Sequence, residues 1–489
     1  MKADRRYPLP VDGKRPGFDR GYASRALVLL SLIVALVVYI DTMLTPALPT
    51  IAREYRVDIA TTSLLISLYT VFGVAVMPVV GKLADIYGKR RVLLWTLAVY
   101  LVAATTTSFA PTFDLVLVSR FFQGVGLGAF PLAFSLAREE FPRPLVPRAQ
   151  GVISAVQVSG GAMGILVGAV VTADYGWQAN YHLALPCILG LTVLTFLLIQ
   201  ESPNRKPGAR LDWIGAAWLG SSLTAIVLGL SQGAAWGWTS DAVLGLTLGG
   251  LLALVPLAFY ESRRTEPVFD LRLLRQRNIL IANLIVVLYG ISLYVAFQAI
   301  TYYMQLPGPT GFGLSVFQTG LVLIPIIVVL LPVALVVGTL IPRYGVKPFL
   351  YVGSVFGMAG FLLLSTARSP ERVTEFLAVY ALGSGMLTVS IQNLLVLSIE
   401  PKEMGLGTSL NASFRYIGQS LGAPIAGAIL STFVSVETTG AYSFSLPSHT
   451  AFQICFYLAA GLFVVLGATS ALAREVIGRR FELGQQSRR

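Results

Sequence analysis

Long apolar stretches separated by short polar segments make up most of the sequence. A helix needs roughly 20 apolar residues to cross a bilayer. Fourteen stretches approach that length, at positions 26–49, 60–81, 91–109, 113–135, 149–172, 181–199, 211–232, 241–260, 279–305, 316–338, 348–366, 373–397, 405–432 and 450–473. Each stretch is continuously apolar and does not alternate with polar residues, which favours helices over the strands of a β-barrel. The pattern predicts an all-α polytopic membrane protein with fourteen spans.

The composition narrows the class of protein further. Only 12% of the 489 residues are charged, whereas a soluble protein carries about 25%. This deficit excludes a soluble enzyme, a disordered chain and a secreted disulfide scaffold. The two cysteines, Cys187 and Cys455, both fall inside apolar stretches, where they are expected to act as small buried hydrophobes.

The basic residues predict the orientation of the chain in the membrane. Net charge is +12, but Lys and Arg form short clusters between apolar stretches and no single basic face for nucleic acid. With the N-terminus in the cytoplasm, two of the 36 lie inside spans and four lie in external loops, namely Arg53, Arg56, Arg368 and Arg372. The polar segment 1–25 is then a cytoplasmic tail and no cleavable signal. We expect a plasma-membrane protein with both termini cytoplasmic.

The spacing of the stretches predicts two halves of six spans each, separated by a further pair. Two related six-span halves with a site between them near the membrane midplane are typical of transporters. The predicted units are a tail 1–25, a six-helix bundle 26–200, an extra pair 201–260, an amphipathic cytoplasmic linker 261–278, a second bundle 279–473 and a tail 474–489.

The loop between the second and third spans carries a recognisable motif. It reads GKLADIYGKRR over 81–91 and resembles the signature loop of the major facilitator superfamily. Gly81 and Gly88 permit close approach and a tight turn, and Asp85 can pair across that turn. The resemblance implies that Gly81, Asp85, Gly88 and Arg91 form a conformational latch.

Further segments resemble the fourteen-span drug:proton antiporter branch of that superfamily. They lie at 41–51 (DTMLTPALPTI), 231–240 (SQGAAWGWTS), 266–271 (EPVFDL), 302–305 (YYMQ), 317–321 (FQTGL), 324–325 (IP) and 415–422 (RYIGQSLG). The resemblance covers nearly the whole chain. It implies the major facilitator fold, two six-helix bundles plus two extra central spanning helices, and proton-coupled export.

The fifth span departs from the pattern of that branch. Gly160, Gly164 and Gly168 keep the four-residue spacing that allows close helix packing. Ile165 stands where a proline is usual, and Ala169 replaces the second closing glycine. This departure keeps a second interpretation open, in which the same fold takes up a small metabolite by proton-linked or facilitated transport.

Asp41 is the one acidic residue that lies well inside a predicted span. An intramembrane carboxylate is costly and marks proton pathways, so Asp41 is the candidate proton carrier. The alternative is an acid near the outer end that serves an external gate.

Arg120 is the candidate coupling residue and needs an acceptor such as Asp41 or a carbonyl of the first span. A purely structural Arg120 is the alternative, and Arg415 is interpreted as a helix-end or gate residue.

Polar side chains in other spans predict the substrate cavity. Aromatic and amide groups suit amphipathic or cationic organic compounds, whereas interhelical hydrogen bonds are the alternative role. The candidates are Gln157, Gln298, Tyr302, Gln392, Asn393 and Gln419.

Missing motifs complete the prediction. The sequence has no phosphate-cradling loop for ATP and no cluster of metal ligands or nucleophile elbow. We therefore expect no enzyme, no metal and no cofactor, with a proton gradient as the energy source. The predicted function is export of small hydrophobic or cationic organic compounds by alternating access. The expected partners are the substrate, protons and membrane lipid, with the chain itself monomeric. A membrane enzyme or receptor on the same scaffold is the alternative from another class.

Overall fold

The computed structural model of the protein describes seven segments of the chain. They are residues 20–141, 145–202, 212–264, 271–308, 310–399, 404–439 and 442–475. Most of the predicted tails 1–25 and 474–489, and residues 265–270 of the predicted linker 261–278, lie outside these residues. Of that linker, the structure describes a short 3₁₀ turn, Leu273–Arg275, whose Leu273 is buried.

Helices account for nearly all of the described chain. They are α1 (Arg20–Thr42), α2 (Leu48–Tyr55), α3 (Ile59–Tyr87), α4 (Lys89–Ser108), α5 (Phe113–Gln123), α6 (Ala129–Glu140), α7 (Val146–Tyr175), α8 (Trp177–Leu198), α9 (Trp213–Trp236), α10 (Asp241–Ser262), α11 (Arg277–Gln305), α12 (Val316–Val322), α13 (Ile324–Tyr344), α14 (Lys347–Leu364), α15 (Pro370–Ser398), α16 (Met404–Thr432) and α17 (His449–Ala471). The pairs α1–α2, α5–α6 and α12–α13 each follow one another within a single apolar segment.

Thirteen helical segments in the described chain are long and apolar enough to cross a membrane. All but one of the fourteen predicted stretches correspond to one of them. The remaining stretch, 405–432, forms α16, which has 29 residues and packs against α3 and α11 in the interior. The protein is therefore a multi-pass, helical membrane protein.

The helices pack in two groups with a pair between them. Helices α1 to α8 pack together, as do α11 to α17, and α3 and α16 contact each other across the boundary. Helix α9 lies against both α3 and α16, whereas α10 packs mainly on α9. One end of the molecule carries the turns at Gly88 and Gly345 and is called the loop end. The other carries the turns at Arg56 and Gly176 and is called the far end.

The two groups are closed on each other at the far end. Gln305 donates from Nε2 to the carbonyl of Pro46 at 2.7 Å, and a Cβ on Gly320 would lie 2.7 Å from Ala169. In the middle of the molecule, the rings of Phe130 and Tyr416 stack at 6.3 Å. The hydrogen bonds and ring contacts that join described residues of the two groups all lie between this stack and the far end.

One element differs from the all-helical prediction. Two antiparallel strands, β1 (Val434–Thr439) and β2 (Tyr442–Pro447), form a hairpin between α16 and α17. Its β1 sequence VSVETT alternates apolar and polar residues at the start, which is the period of a strand. The six residues are too few to stand out beside stretches of about 20 residues.

The fifth-span glycines explain how closely α7 approaches α1. A Cβ on Gly160 would lie 2.6 Å from the carbonyl oxygen of Ala35, and one on Gly168 would lie 2.8 Å from the Cα of Met43. At Gly164 the Cβ would lie 2.0 Å from Oγ1 of Thr42. The backbones of α1 and α7 are therefore in contact along this row, which leaves no space for a side chain.

Replacing Gly164 with leucine tests this packing. The new side chain would overlap α1, and overpacking of this kind costs about 3 kcal/mol or more. We expect Gly164→Leu to lower the thermal unfolding midpoint of the purified protein markedly. Gly151→Leu on the same helix is the control, because nothing lies within 4 Å of a Cβ there. Equal midpoints for the two variants would contradict the contact.

Candidate functional site

The candidate site begins at a break in the first spanning segment. Helix α1 ends at Thr42, and a 3₁₀ turn, Thr45–Ala47, follows before α2. Pro46 has no N–H to bond the carbonyl of Thr42, so the regular helix cannot continue through it. The last carbonyls of α1 consequently lack helical partners. The residues of the break, 43–47, are all buried, so the freed carbonyls must find donors within the protein.

Arg120 supplies those donors. The guanidinium donates from Nη1 to the carbonyl of Ile40 at 3.2 Å, from Nη2 to the carbonyl of Asp41 at 3.1 Å and from Nε to the carbonyl of Leu65 at 3.2 Å. It lies 4.2 Å from the centre of the Tyr69 ring and is fully buried. Arg120 therefore ties α1, α3 and α5 together through main-chain acceptors.

A second group of bonds holds Arg120 in place. Its Nη1 also donates to Oε1 of Gln123 at 2.9 Å, and Gln123 donates from Nε2 to the hydroxyl of Thr107 on α4. Tyr181 of α8 donates its hydroxyl to the same Gln123 oxygen at 3.4 Å. Gly124 lets α5 come this close, because a Cβ there would lie 2.2 Å from the carbonyl of Tyr69.

The Asp41 side chain lies beside this arginine but is weakly bound to it. Its Oδ1 is 3.8 Å from Nη2 of Arg120 and has no hydrogen-bond donor among the described residues. The residue is 7% exposed. The carboxylate thus sits in the interior with its acceptor capacity unused, near one arginine that bonds to three main-chain carbonyls and to Gln123.

Arg415 lies opposite, on the second group of helices. It stands eleven residues into the 29-residue α16, about 16 Å from the start at 1.5 Å per residue. This places it close to the middle of the helix, whereas the sequence interpretation had placed it near the helix end. Its guanidinium lies 5.3 Å from the Tyr416 ring centre.

The structure separates the predicted cavity residues into three locations. Gln157 is half-buried and stands eleven residues into α7, counted from the loop end. Gln298 and Tyr302 are buried nearer the closed far end, and their polar side-chain atoms lack partners among the described residues. Gln419 is buried one turn beyond Arg415 and has a free Oε1 in the described structure.

The two α15 candidates lie apart from this centre. Gln392 is exposed, and Asn393 donates from Nδ2 to the carbonyl of Val389 on its own helix at 2.9 Å. Both stand in the last turns of α15, towards the loop end. These two residues therefore do not join the central group in the described conformation.

The predicted latch loop forms the turn between α3 and α4. Gly88 has φ +106° and caps the end of α3, and the side chain of Arg91 lies 3.8 Å from Glu201. Gly81 has open space around it. Asp85 is half-buried, and the structure describes no ion pair for it. In this conformation the acid of the loop is available for a partner.

A pair of glutamates near this end was not singled out from the sequence. Glu201 follows α8 and accepts from the main-chain N–H groups of Arg90 and Arg91 at the start of α4. Glu475 follows α17 and accepts from the N–H groups of Val346 and Lys347 at the start of α14. Each acid thus caps the third spanning helix of its own group. In the sequence both glutamates lie in polar segments and do not stand out. The one available signal is that each follows the sixth span of its half.

Comparison with known proteins identifies the family to which this arrangement belongs. The profile described as Major Facilitator Superfamily matches residues 30–423. The chain is 25% identical to the multidrug transporter protein MdtP of Bacillus subtilis, covering 83% of this chain and 76% of that protein. It is 29% identical to the cephamycin export protein CmcT of Amycolatopsis lactamdurans, covering 87% and 88% respectively.

Solved structures share the fold at low sequence identity. A bacterial homolog of the human lysosomal transporter Spinster, in an inward-facing and unoccupied conformation, superposes with a TM-score of 0.69. The alignment covers 93% of this chain and 97% of that chain at 14% identity. The likeness supports the predicted two-bundle architecture at the level of the fold.

Substitution of Arg120 tests its role in joining the helices. Arg120→Gln leaves buried carbonyls of α1 and α3 without donors, at a cost of about 3 kcal/mol or more. We expect a clear drop in the thermal unfolding midpoint of the purified protein. Asp41→Asn is the matched change, and it should stay near wild type because the Asp41 side chain makes no hydrogen bond in the described structure. A larger loss for Asp41→Asn than for Arg120→Gln would contradict this assignment.

Substitution of two glycines by alanine tests the turn of the latch loop. Gly88 has φ +106° and ψ 142°, a region nearly restricted to glycine, and another residue there costs about 1–3 kcal/mol. A Cβ would also lie 2.4 Å from the Glu201 carboxylate. We expect Gly88→Ala to lower the unfolding midpoint and Gly81→Ala to leave it unchanged. A midpoint for Gly88→Ala equal to wild type would show that the turn has another conformation.

Proposed function

The chain belongs to the major facilitator superfamily, and from that premise we propose that it is a proton-coupled exporter of small amphipathic organic compounds. The observation that carries the proposal is the buried, hydrogen-bond-free carboxylate of Asp41 at the break in α1. The names of the matching relatives, a multidrug transporter and a cephamycin export protein, support export. Fourteen spans, with α9 and α10 as the extra pair, are part of the proposal.

Asp41 is suited to bind and release a proton. An ionised carboxylate in a water-poor interior is unfavourable unless it is paired and hydrogen-bonded. Asp41 has one arginine at 3.8 Å and no hydrogen bond to Oδ1 in the described chain. Its charged and neutral forms are therefore closer in free energy than those of a well-paired acid. A substrate or a change of conformation can shift the balance between them.

Arg120 holds a positive charge at a fixed position beside Asp41. Its bonds to the carbonyls of Ile40, Asp41 and Leu65 do not depend on the ionisation of the Asp41 side chain. The arginine can therefore remain in place while the neighbouring carboxylate gains and loses a proton. We propose that Arg120 sets the proton affinity of the Asp41 carboxylate and also holds the broken α1 in shape. It thus combines the coupling role with the structural role.

The asymmetric closure of the two groups supports the proposal of alternating access. The far end is sealed by contacts such as Gln305 with Pro46. We propose that the loop end faces the cytoplasm, which makes the described conformation inward-facing. Closing the loop end would bring the latch loop and its free acid Asp85 against the second group. Proton-linked uptake of a metabolite uses the same cycle in reverse and remains the second candidate, favoured by Ile165 and Ala169 in α7.

A proteoliposome assay of Asp41→Asn tests the proton coupling. The purified protein is reconstituted, a pH gradient is imposed, and internal pH and substrate flux are followed together. We expect wild type to move substrate against its gradient and the variant to lose gradient-driven flux while keeping exchange of substrate for substrate. The amide cannot exchange a proton in this range but matches the acid in shape.

Asp114→Asn serves as the control for that assay. Asp114 is an exposed acid in the first turn of α5 at the far end, so its neutralisation should leave coupled flux intact. Unchanged gradient-driven flux in Asp41→Asn would remove Asp41 as the proton carrier. Influx against the substrate gradient in wild type, with no efflux, would establish the uptake candidate instead.

A further inference from the structure

A cavity of about 510 Å³ lies at the loop end of the first group of helices. Two arginines, Arg25 of α1 and Arg90 of α4, line it together with Tyr22 and residues 196–201, which end α8 and follow it. Its volume falls in the range of small-ligand sites, about 300–1,000 Å³. Neither Asp41 nor any other residue assigned to proton coupling lines it, so the cavity is separate from the central site.

The cavity lies where the apolar surface of the molecule ends. Helix α8 has 22 residues, which gives a length of about 33 Å at 1.5 Å per residue. This length matches the hydrocarbon core of a bilayer, about 30 Å. The cavity is built from the last turn of α8 and from the first turns of α1 and α4. A molecule bound there has one end at the polar surface of the membrane and the other in the hydrocarbon.

Arg90 is held at the cavity wall with hydrogen-bonding capacity to spare. Its Nη2 donates to the carbonyl of Phe196, and its guanidinium carbon lies 5.1 Å from the centre of the Phe196 ring. Its Nε is buried and has no hydrogen-bond partner in the described structure. A guanidinium has five N–H donors in a planar fork. Phe196 therefore orients the Arg90 side chain and leaves most of its donors for another acceptor.

Arg25 supplies a second positive charge to the same cavity. Its side chain is exposed, and its Nε donates to the carbonyl of Gly21, one turn earlier in α1, at 3.3 Å. Neither Arg25 nor Arg90 forms an ion pair within the described chain. Arginines at a membrane surface attract anionic groups, and the guanidinium fork matches phosphate oxygens in particular.

The acids near the cavity already have donors. Glu201, the one carboxylate among the lining residues, accepts from the main-chain N–H groups of Arg90 at 3.2 Å and Arg91 at 3.3 Å. The side chain of Arg91 lies a further 3.8 Å from it. Glu140 accepts from the hydroxyl of Tyr22 at 3.1 Å. The described wall thus carries an excess of positive charge and no carboxylate without a donor.

The outer face of α8 is apolar up to the cavity. Leu189, Val193 and Phe196 lie three or four residues apart, which places them on one face of the helix. Each is about half-exposed, and the neighbouring Leu197 is exposed as well. Helix α8 contains no Asp, Glu, Lys or Arg. In a bilayer this row is covered by acyl chains, and it leads from the middle of α8 to the two arginines.

We propose that the cavity binds an anionic phospholipid, with Arg25 and Arg90 on its phosphodiester group and an acyl chain along the outer face of α8. The site goes beyond the proposed function and does not depend on it. It requires only that the chain spans a membrane, with the cavity at the boundary between head groups and hydrocarbon.

Charge selects among the possible lipids. A zwitterionic phospholipid has the same phosphodiester but adds an ammonium group, which would lie near two guanidiniums and meet no carboxylate without a donor on the described wall. Phosphatidylglycerol carries hydroxyl groups in that place and keeps its net negative charge. The apolar row of α8 favours a lipid over free phosphate, because free phosphate would make no use of it.

Native mass spectrometry of the purified full-length chain tests the site without substrate or gradient. The protein is stripped of lipid in one detergent and titrated with dioleoyl phosphatidylglycerol, dioleoyl phosphatidylcholine or the soluble head group glycerophosphoglycerol. We expect the first phosphatidylglycerol to bind about tenfold or more tightly than phosphatidylcholine, since a hydrogen bond to a charged group contributes about that factor. The soluble head group should not displace the bound lipid.

Variants assign the phosphodiester contacts. Arg25→Gln and Arg90→Gln should each remove most of the preference for phosphatidylglycerol and leave phosphatidylcholine binding unchanged, whereas Arg25→Lys should keep part of that preference. Arg343→Gln is the matched control and should keep all of it. Arg343 is also an exposed arginine at the loop end, 5.2 Å from the centre of the Tyr344 ring, but it does not line this cavity.

Three results would overturn the proposal. Equal wild-type affinity for the two lipids would remove the selection by charge. An equal loss in Arg343→Gln and Arg25→Gln would reduce the effect to general attraction by a basic surface. Binding of the soluble head group as tight as that of the lipid would assign the cavity to a soluble phosphate compound. Monodisperse elution excludes misfolding, and the exposed Arg25 carries the test alone if Arg90→Gln is unstable.

Discussion

The hydrogen bonds from Arg120 to three main-chain carbonyls are the interaction on which the interior depends. They exist because the sequence breaks its first spanning helix at Pro46, inside an apolar environment where water cannot bond the freed carbonyls. One guanidinium satisfies Ile40, Asp41 and Leu65 together, which no shorter side chain can do. The broken helix in turn fixes where Asp41 lies. A structural arginine and a functional acid are thus parts of one arrangement.

Close backbone packing makes that arrangement rigid within the first group of helices. The glycine row of α7 presses directly on α1, and Gly124 brings α5 against α3. Rigid groups joined mainly at the far end can rock against each other without disturbing their own interiors. The glutamates Glu201 and Glu475 cap a helix within each group and so strengthen the groups separately.

The distribution of charge links this architecture to the proposed proton coupling. Burying a charge is costly, so the interior side chains of Asp41 and Arg120 each need a partner or a role. Arg120 bonds to three main-chain carbonyls, whereas the Asp41 carboxylate has no hydrogen bond in the described structure. The acid that the protein leaves without a hydrogen bond is the one proposed to exchange a proton.

The sequence by itself determined the membrane-spanning class, the positions of nearly all spans and the superfamily, because hydrophobic runs of about 20 residues and the 81–91 loop are local signals. It also drew attention to Asp41 and Arg120, because charged residues inside apolar runs are conspicuous. Only the tertiary structure decided that Arg120 bonds to carbonyls, that Gln392 and Asn393 lie away from the centre, and that α7 presses its glycines directly on α1. These facts depend on how helices distant in sequence are rotated and paired, and no single stretch of sequence encodes that. The sequence did not reveal the paired strands 434–439 and 442–447, because they are too short to stand out. It did not reveal the two glutamate caps either, because their partners lie far along the chain.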